Sequence, residues 1–248
     1  MKFKRYIAAL GLITSLQLNL CYAFTPAPDL TVLYTGKVKE PPASNYILMD
    51  NEIKYKLAYI KAPSEFENQT KTYLTKLLNG KTITLYQENK ALDRYNTAEI
   101  IVVDEKGTVA QSTLVSEGLS WAYITKENKA LHTELKNIEK EARKNKKGFW
   151  GNELYVVKNI NNVKDFINSY QLVEGIVKSV STVKNSVYLN FGDNWKEDFT
   201  VRFPYLKNKD YSNWAGKKIL ARGWVESYYG PMINIENDAQ IDIITEQK

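Results

Sequence analysis

Residues 52 to 67, EIKYKLAYIKAPSEFE, narrow the architecture more than any other stretch of this 248-residue chain. Ile53, Tyr55, Leu57 and Tyr59 alternate with Lys54, Lys56 and Ala58, the period of a strand with one buried face. Pro63 then removes a backbone donor and ends the ladder. Beyond it, Ser64 and Glu67 have the S-x-x-E spacing of a capping box, and Phe66, Tyr73, Leu74, Leu77 and Leu78 recur at helical spacing up to Gly80. The chain must pass from sheet to helix within a few residues of Pro63.

The neighbouring segments fit that transition. TVLYTGKV and NYILM before it, and KTITLYQ and AEIIVV after the helix, read as strands, the latter two joined by ENKALDRYNT. AQSTLVSEGL reads as a short helix ended by Gly118. Leu131, Leu135, Ile138 and Ala142 then share one face of a last helix, which ends on the basic run Arg143 to Lys147 before Gly148. That run suits the negative end of the helix dipole, and it also has the composition of a nucleic-acid patch.

After Gly148-Phe149-Trp150-Gly151 the pattern changes. Residues 153–168 read as a linker, and from 169 to 246 strand follows strand: QLVEGIVKSV, SVYLNF, DFTVRF, KKILARGWVE, PMINIE and QIDIIT, with a short helix near Tyr211 to Trp214. Turn signals such as Gly192-Asp193 and Tyr229-Gly230-Pro231 divide them. Five or six strands in so short a span argue for a small Greek-key barrel of the OB kind. The fold class expected for the whole chain is mainly β with α (α+β).

The first 23 residues have a basic start (Lys2, Lys4, Arg5), an apolar middle and the small-residue spacing Cys21-Tyr22-Ala23, the pattern of a secretory signal peptide cut after Ala23. An uncleaved anchor and acylation at Cys21 are the competing readings, although bulky Leu20 precedes that cysteine. Export to a periplasm or to the medium is the expectation. The formal charge of +6 falls to +3 once those three basic residues leave. No segment has the length of a membrane span.

The strand-turn LAYIKAP, the hairpin LDRYNTAEIIVV, the helix LVSEGLSWAY and the ending KEARKNKKGFWG together resemble the staphylococcal nuclease (thermonuclease) family over residues 31–152. The resemblance implies a five-stranded OB-like barrel with three helices, and the segment 169–246 looks like the second OB-like module of some exported bacterial relatives. It also implies phosphodiester hydrolysis with a Ca²⁺ held by two aspartates and a carbonyl, a glutamate acting on the water, and two arginines on the phosphate. A hard cation needs oxygen ligands, and the charge that builds on the phosphate needs fixed cationic donors.

Carried over position by position, this set is substituted. Asn45 is nearest to the first aspartate, Lys61 stands for the second, and the Ala62 carbonyl is the remaining metal ligand. Ser64 stands for the glutamate, and Lys56 and Thr97 stand for the arginines. A site that has exchanged two carboxylates for an ammonium and a neutral amide repels a divalent cation, so no cofactor and no phosphodiesterase activity are expected. The alternative is a Ca²⁺-dependent nuclease that recruits Glu65, one residue past its slot, and Arg94.

Candidate nucleic-acid-binding residues are Tyr95 and Tyr123 in the first segment and Trp195, Tyr228 and Tyr229 in the second, because aromatics beside cations on OB barrels stack single-stranded bases. Charge does not select the partner: residues 24–157 carry a net of +2 and residues 158–248 a net of +1. Single-stranded nucleic acid and an envelope protein both remain. His132, the one histidine, sits in a polar helix and is expected at the surface.

Overall fold

Fourteen residues, Leu30–Ala43, form the first strand, β1, long enough to serve two sides of a barrel. The chain continues through β2 (Tyr46–Met49), β3 (Lys54–Leu57), the short β4 (Ile60–Lys61), helix α1 (Glu67–Leu78), β5 (Thr82–Glu88), β6 (Glu99–Asp104), α2 (Ala110–Ser116), β7 (Trp121–Ala122) and α3 (Lys129–Lys144). This computed structural model describes residues 24–88, 97–124, 129–194, 196–207 and 209–244. Residues 1–23, Arg94, Tyr95 and Trp195 lie outside the described residues.

The first five long strands close into a barrel in the order β1-β2-β3-β6-β5, with β3 and β6 parallel and the other pairs antiparallel. Closure leaves no free sheet edge. Ile47, Leu57, Ile83, Leu85 and Ile100 fill its interior, and α1 and α3 add Leu74, Leu78, Leu131 and Leu135. The helical spacing read from the sequence is therefore borne out. Ile53 departs from the strand alternation: it is exposed, because β3 begins only at Lys54.

The capping box does not form. Ser64–Phe66 winds as a 3-10 turn, α1 begins at Glu67, and Phe66 occupies the cap position without a side-chain bond. Ser64 Oγ donates instead to Glu65 Oε2 at 3.1 Å. The tighter first turn carries the serine too far from the helix proper for reciprocal capping.

The rest is β-rich: β8 (Lys158–Asn159), β9 (Ser169–Ile176), β10 (Ser179–Val183), β11 (Ser186–Asn190), β12 (Thr200–Pro204), β13 (Lys218–Tyr228), β14 (Gly230–Asn234) and β15 (Ile241–Ile243). Its strand path is β10-β11-β12-β14-β13-β9, with β12 and β14 parallel. β9 and β10 are separated only by Val177 and Lys178, so the path starts and ends on one stretch of chain and repeats the strand order of the first barrel. Val187, Leu189, Val201, Phe203, Ile219 and Ile233 form its core.

Residues 153–168, expected to be a linker, are folded. β8 pairs with β9, Val163 is buried in the second core, and Lys158 Nζ donates to the Glu153 carbonyl at 2.7 Å. The two halves also share a third cluster: Trp121, Ala142, Phe149 and Trp150 pack on Tyr170, Leu172 and Leu220. Within it the Trp121 ring lies 5.3 Å from Phe149 and 4.9 Å from Tyr170.

Two glycines make the corner before that cluster possible. Gly118 (φ 62°) and Gly148 (φ 51°) are left-handed, and their backbones cross so closely that a Cβ on Gly118 would lie 2.1 Å from the Lys147 carbonyl oxygen. Neither neighbour is a side chain that can swing away. Gly118→Ala is expected to lower stability by about 2 kcal/mol, measured as a shift in the urea midpoint. The basic run just before Gly148 is partly tied down as well: the Arg143 guanidinium lies over the Trp150 ring at 5.8 Å.

Candidate functional site

The parallel register of β3 and β6 sets Lys56 beside Glu99, and their side chains pair at 2.8 Å while both remain about one quarter exposed. The strand stops there because Tyr59 turns left-handed (φ 63°), a conformation rare for a bulky residue. After this kink, β4 pairs with β7, with Lys61 opposite Trp121, and the Tyr123 amide donates to the Tyr59 carbonyl at 2.8 Å. Tyr59 itself donates its hydroxyl to Glu88.

Lys61 is the centre of the site. Its ammonium lies 5.5 Å from the ring centre of Tyr123, just past β7, and 5.9 Å from that of Trp224, which β13 of the second half brings across. Trp224 remains 46% exposed. Burial, and then Glu236, push the Tyr123 phenol up; Lys56 opposes this and Glu99 adds to it. The short β4–β7 pair of the first half and one strand of the second half thus converge on a single cation.

On the far side of Pro63 the turn faces a groove of about 570 Å³, whose lining includes Ser64, Glu65, Trp121, Tyr155, Tyr170 and Trp224. Tyr155 donates to Glu65 Oε2 at 2.6 Å, and this bond holds the Glu65 carboxyl below the usual range. Burial, reinforced by the same carboxylate, pushes the Tyr155 phenol up. Glu65 is thereby engaged with the segment after the first barrel.

The other positions carried over by the resemblance are scattered in role. The Asn45 carbonyl accepts the Leu57 amide at 2.8 Å, Ala62 is buried, Ser64 is exposed, and Thr97 is half-buried just before β6. Among the described residues no three His, Cys, Asp or Glu side chains gather as a metal site. Asn45, Lys61 and Ala62 do not fit Ca²⁺: the Lys61 side chain supplies positive charge where oxygen donors are required.

Of the candidate aromatics, Tyr123 lies within this site. Tyr228 and Tyr229 lie apart from it, at the β13–β14 turn, where they are 63% and 67% exposed and packed edge to face at 5.3 Å. Trp224 and Tyr155 were not singled out from the sequence. Trp224 carried one signal: it falls on the same alternation face of KKILARGWVE as Arg222, opposite to Val225.

His132 corrects the expectation of a surface residue. It is 4% exposed, its ring meets that of Tyr59 edge on at 4.7 Å, and burial, with Lys136 and Arg222 nearby, pushes it down to about 4. The polar residues around it in sequence point elsewhere on the helix.

No curated protein matches the chain. Residues 49–152, which hold the kinked strand, the Pro63 turn, the three helices and Lys61, match the family model described as staphylococcal nuclease homologue. Over residues 49–152 the chain is thus similar to the staphylococcal nuclease homologues.

Proposed function

We propose that this is an exported thermonuclease-like protein that holds single-stranded nucleic acid and does not cut it. The observation that carries the reading is Lys61, an exposed ammonium within about 6 Å of the Tyr123 and Trp224 rings, at the position where a metal-binding carboxylate would be needed. With Ser64 in place of the general base, the turn also lacks a group to activate water, a loss worth about 10²–10⁴ in rate. Lys56 keeps one cation at a phosphate-facing position but shares its charge with Glu99.

The β-rich second half acts in this reading as an OB-like module, supported by its repetition of the first barrel's strand order. Its rings supply the stacking surfaces that such barrels use for single strands. The basic-apolar leader supports export, to a periplasm or to the medium.

The test is incubation of the purified protein with single- and double-stranded DNA and RNA, in Ca²⁺ and in chelator. The expected outcome is salt-dependent binding of single strands with intact substrate under both conditions. Cleavage that needs Ca²⁺ and disappears in Glu65→Ala or Arg94→Ala overturns the reading in favour of a nuclease with recruited residues. Absence of any response to nucleic acid turns it towards an envelope protein as partner.

A further inference from the structure

The outward face of the second sheet carries a row that runs straight to Lys61. Register places Tyr188 of β11 opposite Arg202 of β12, and Arg202 beside Asn234 of β14. Val225 pairs with Ile233, so the next step of the same antiparallel ladder sets Trp224 of β13 beside Asn234. Each of the four is at least partly exposed and is flanked along its strand by buried residues, so all share one face.

The chemistry alternates along this row. The Arg202 guanidinium lies 5.9 Å from the Tyr188 ring, and its nitrogens donate to Asn234 Oδ1 at 3.1 Å and to Ser186 Oγ at 2.9 Å. Trp224 follows, then Lys61 and Tyr123 of the first half. Among the described residues neither Arg202 nor Lys61 has a carboxylate partner; each is held by rings or neutral acceptors. Their charges remain available, and holding them in place takes no neutralising contact.

We propose that Tyr188, Arg202, Asn234, Trp224, Lys61 and Tyr123 form one continuous track for single-stranded nucleic acid across both halves of the protein. Bases lie on Trp224 and the flanking tyrosine rings, and phosphates lie at Arg202 and Lys61. Three strand spacings plus the two ring-to-cation steps give a length of roughly 25 Å, suited to about four nucleotides, the low end of the range for one OB barrel. Charge complementarity selects the occupant: a neutral polysaccharide matches the rings but leaves both cations unused. The proposal rests on the binding reading above and adds where the strand lies and which half supplies which contact.

The probe is a short fluorescein-labelled oligothymidylate, titrated into the intact protein at several salt concentrations. Trp224→Ala is expected to weaken binding about tenfold or more, from the loss of one stacking platform. Trp224→Phe keeps most of the affinity but loses the part of the tryptophan quenching that this ring supplies. Arg202→Gln and Lys61→Gln each lower the slope of log affinity against log salt by about 0.7. Because Trp224 and Lys61 sit at the junction, unfolding midpoints accompany every variant, and Arg202→Gln and Tyr188→Leu, distant from the junction, repeat the test without that risk. Tight binding that all these variants leave unchanged overturns the track while sparing the binding reading. Binding that persists at high salt, or that a neutral polysaccharide displaces, overturns the track as well. Failure of the intact protein to bind any single strand removes both.

Discussion

Arg222→Ala is expected to cost about 3–5 kcal/mol of stability, seen as a large fall in the urea midpoint. The arginine is fully buried, as is its partner Glu139 of α3, which it meets at 2.8 Å. It also donates to the Ala122 carbonyl at 3.2 Å and reaches Asp242 at 2.8 Å. Removing it strands the Glu139 carboxylate in the interior, where among the described residues the Ala122 amide still donates to it at 3.0 Å. An uncompensated buried charge, more than any lost attraction, sets the size of the effect. The paired replacement Arg222→Met with Glu139→Leu is expected to recover most of the loss, because it removes both charges and keeps the volume. If the single variant unfolds at the same urea concentration as the parent, the ion pair is not what joins the halves.

That pair also predicts how the protein comes apart. Arg222 belongs to the second half and Glu139 to the first, and the aromatic cluster around Trp121 and Tyr170 crosses the same boundary. Unfolding either half alone exposes a charge and several rings, so the described residues are expected to unfold in one transition.

The first barrel and the strands of the second half were legible because they obey simple rules. Alternation around Tyr55 and Leu57 and the face formed by Leu131, Leu135 and Ala142 are local patterns, and each is seen, whereas the barrel strand ends at the Tyr59 kink and not at Pro63. The capping box failed although its spacing was right, since a 3-10 turn changes which residue starts the helix, and spacing alone does not report that. The supposed linker failed for a different reason. Asn-rich and polar, it reads as a connector, yet Val163 finds a core and β8 an edge only once β9 exists to receive them.

The site was legible as a subtraction and not as an arrangement. Lys61 and Ser64 stand in the turn for anyone comparing residue types. What holds Lys61 was invisible, because Trp224 lies far along the chain and reaches it only when the second half folds against the first. Arg222 had a faint signal, a charged residue between Ala221 and Gly223 in an otherwise apolar strand. Its partner is 83 positions away, beyond any local pattern.

His132 is expected to make the protein acid-labile in a window that no carboxylate explains. In the folded protein, burial and the nearby Lys136 and Arg222 push the imidazole down to about 4, from an ordinary value of 6.5. Between those values the unfolded chain binds a proton that the folded chain refuses, so stability must fall as pH drops from about 6.5 towards 4. The full loss is on the order of 3 kcal/mol. The ring cannot escape to solvent: it is packed against Tyr59, the residue whose left-handed backbone sets the kink before Lys61. Asp242 titrates separately. Burial alone would raise it, but Arg222 and Lys136 outweigh that and hold its carboxyl below 3.8, so its contribution is present above that value and lost only at lower pH. Urea unfolding at neutral pH and at pH about 5 separates the two. His132→Phe is expected to flatten the dependence between these conditions while leaving the steep loss below pH about 4 in place. An unchanged slope in that variant assigns the acid sensitivity to carboxylates alone.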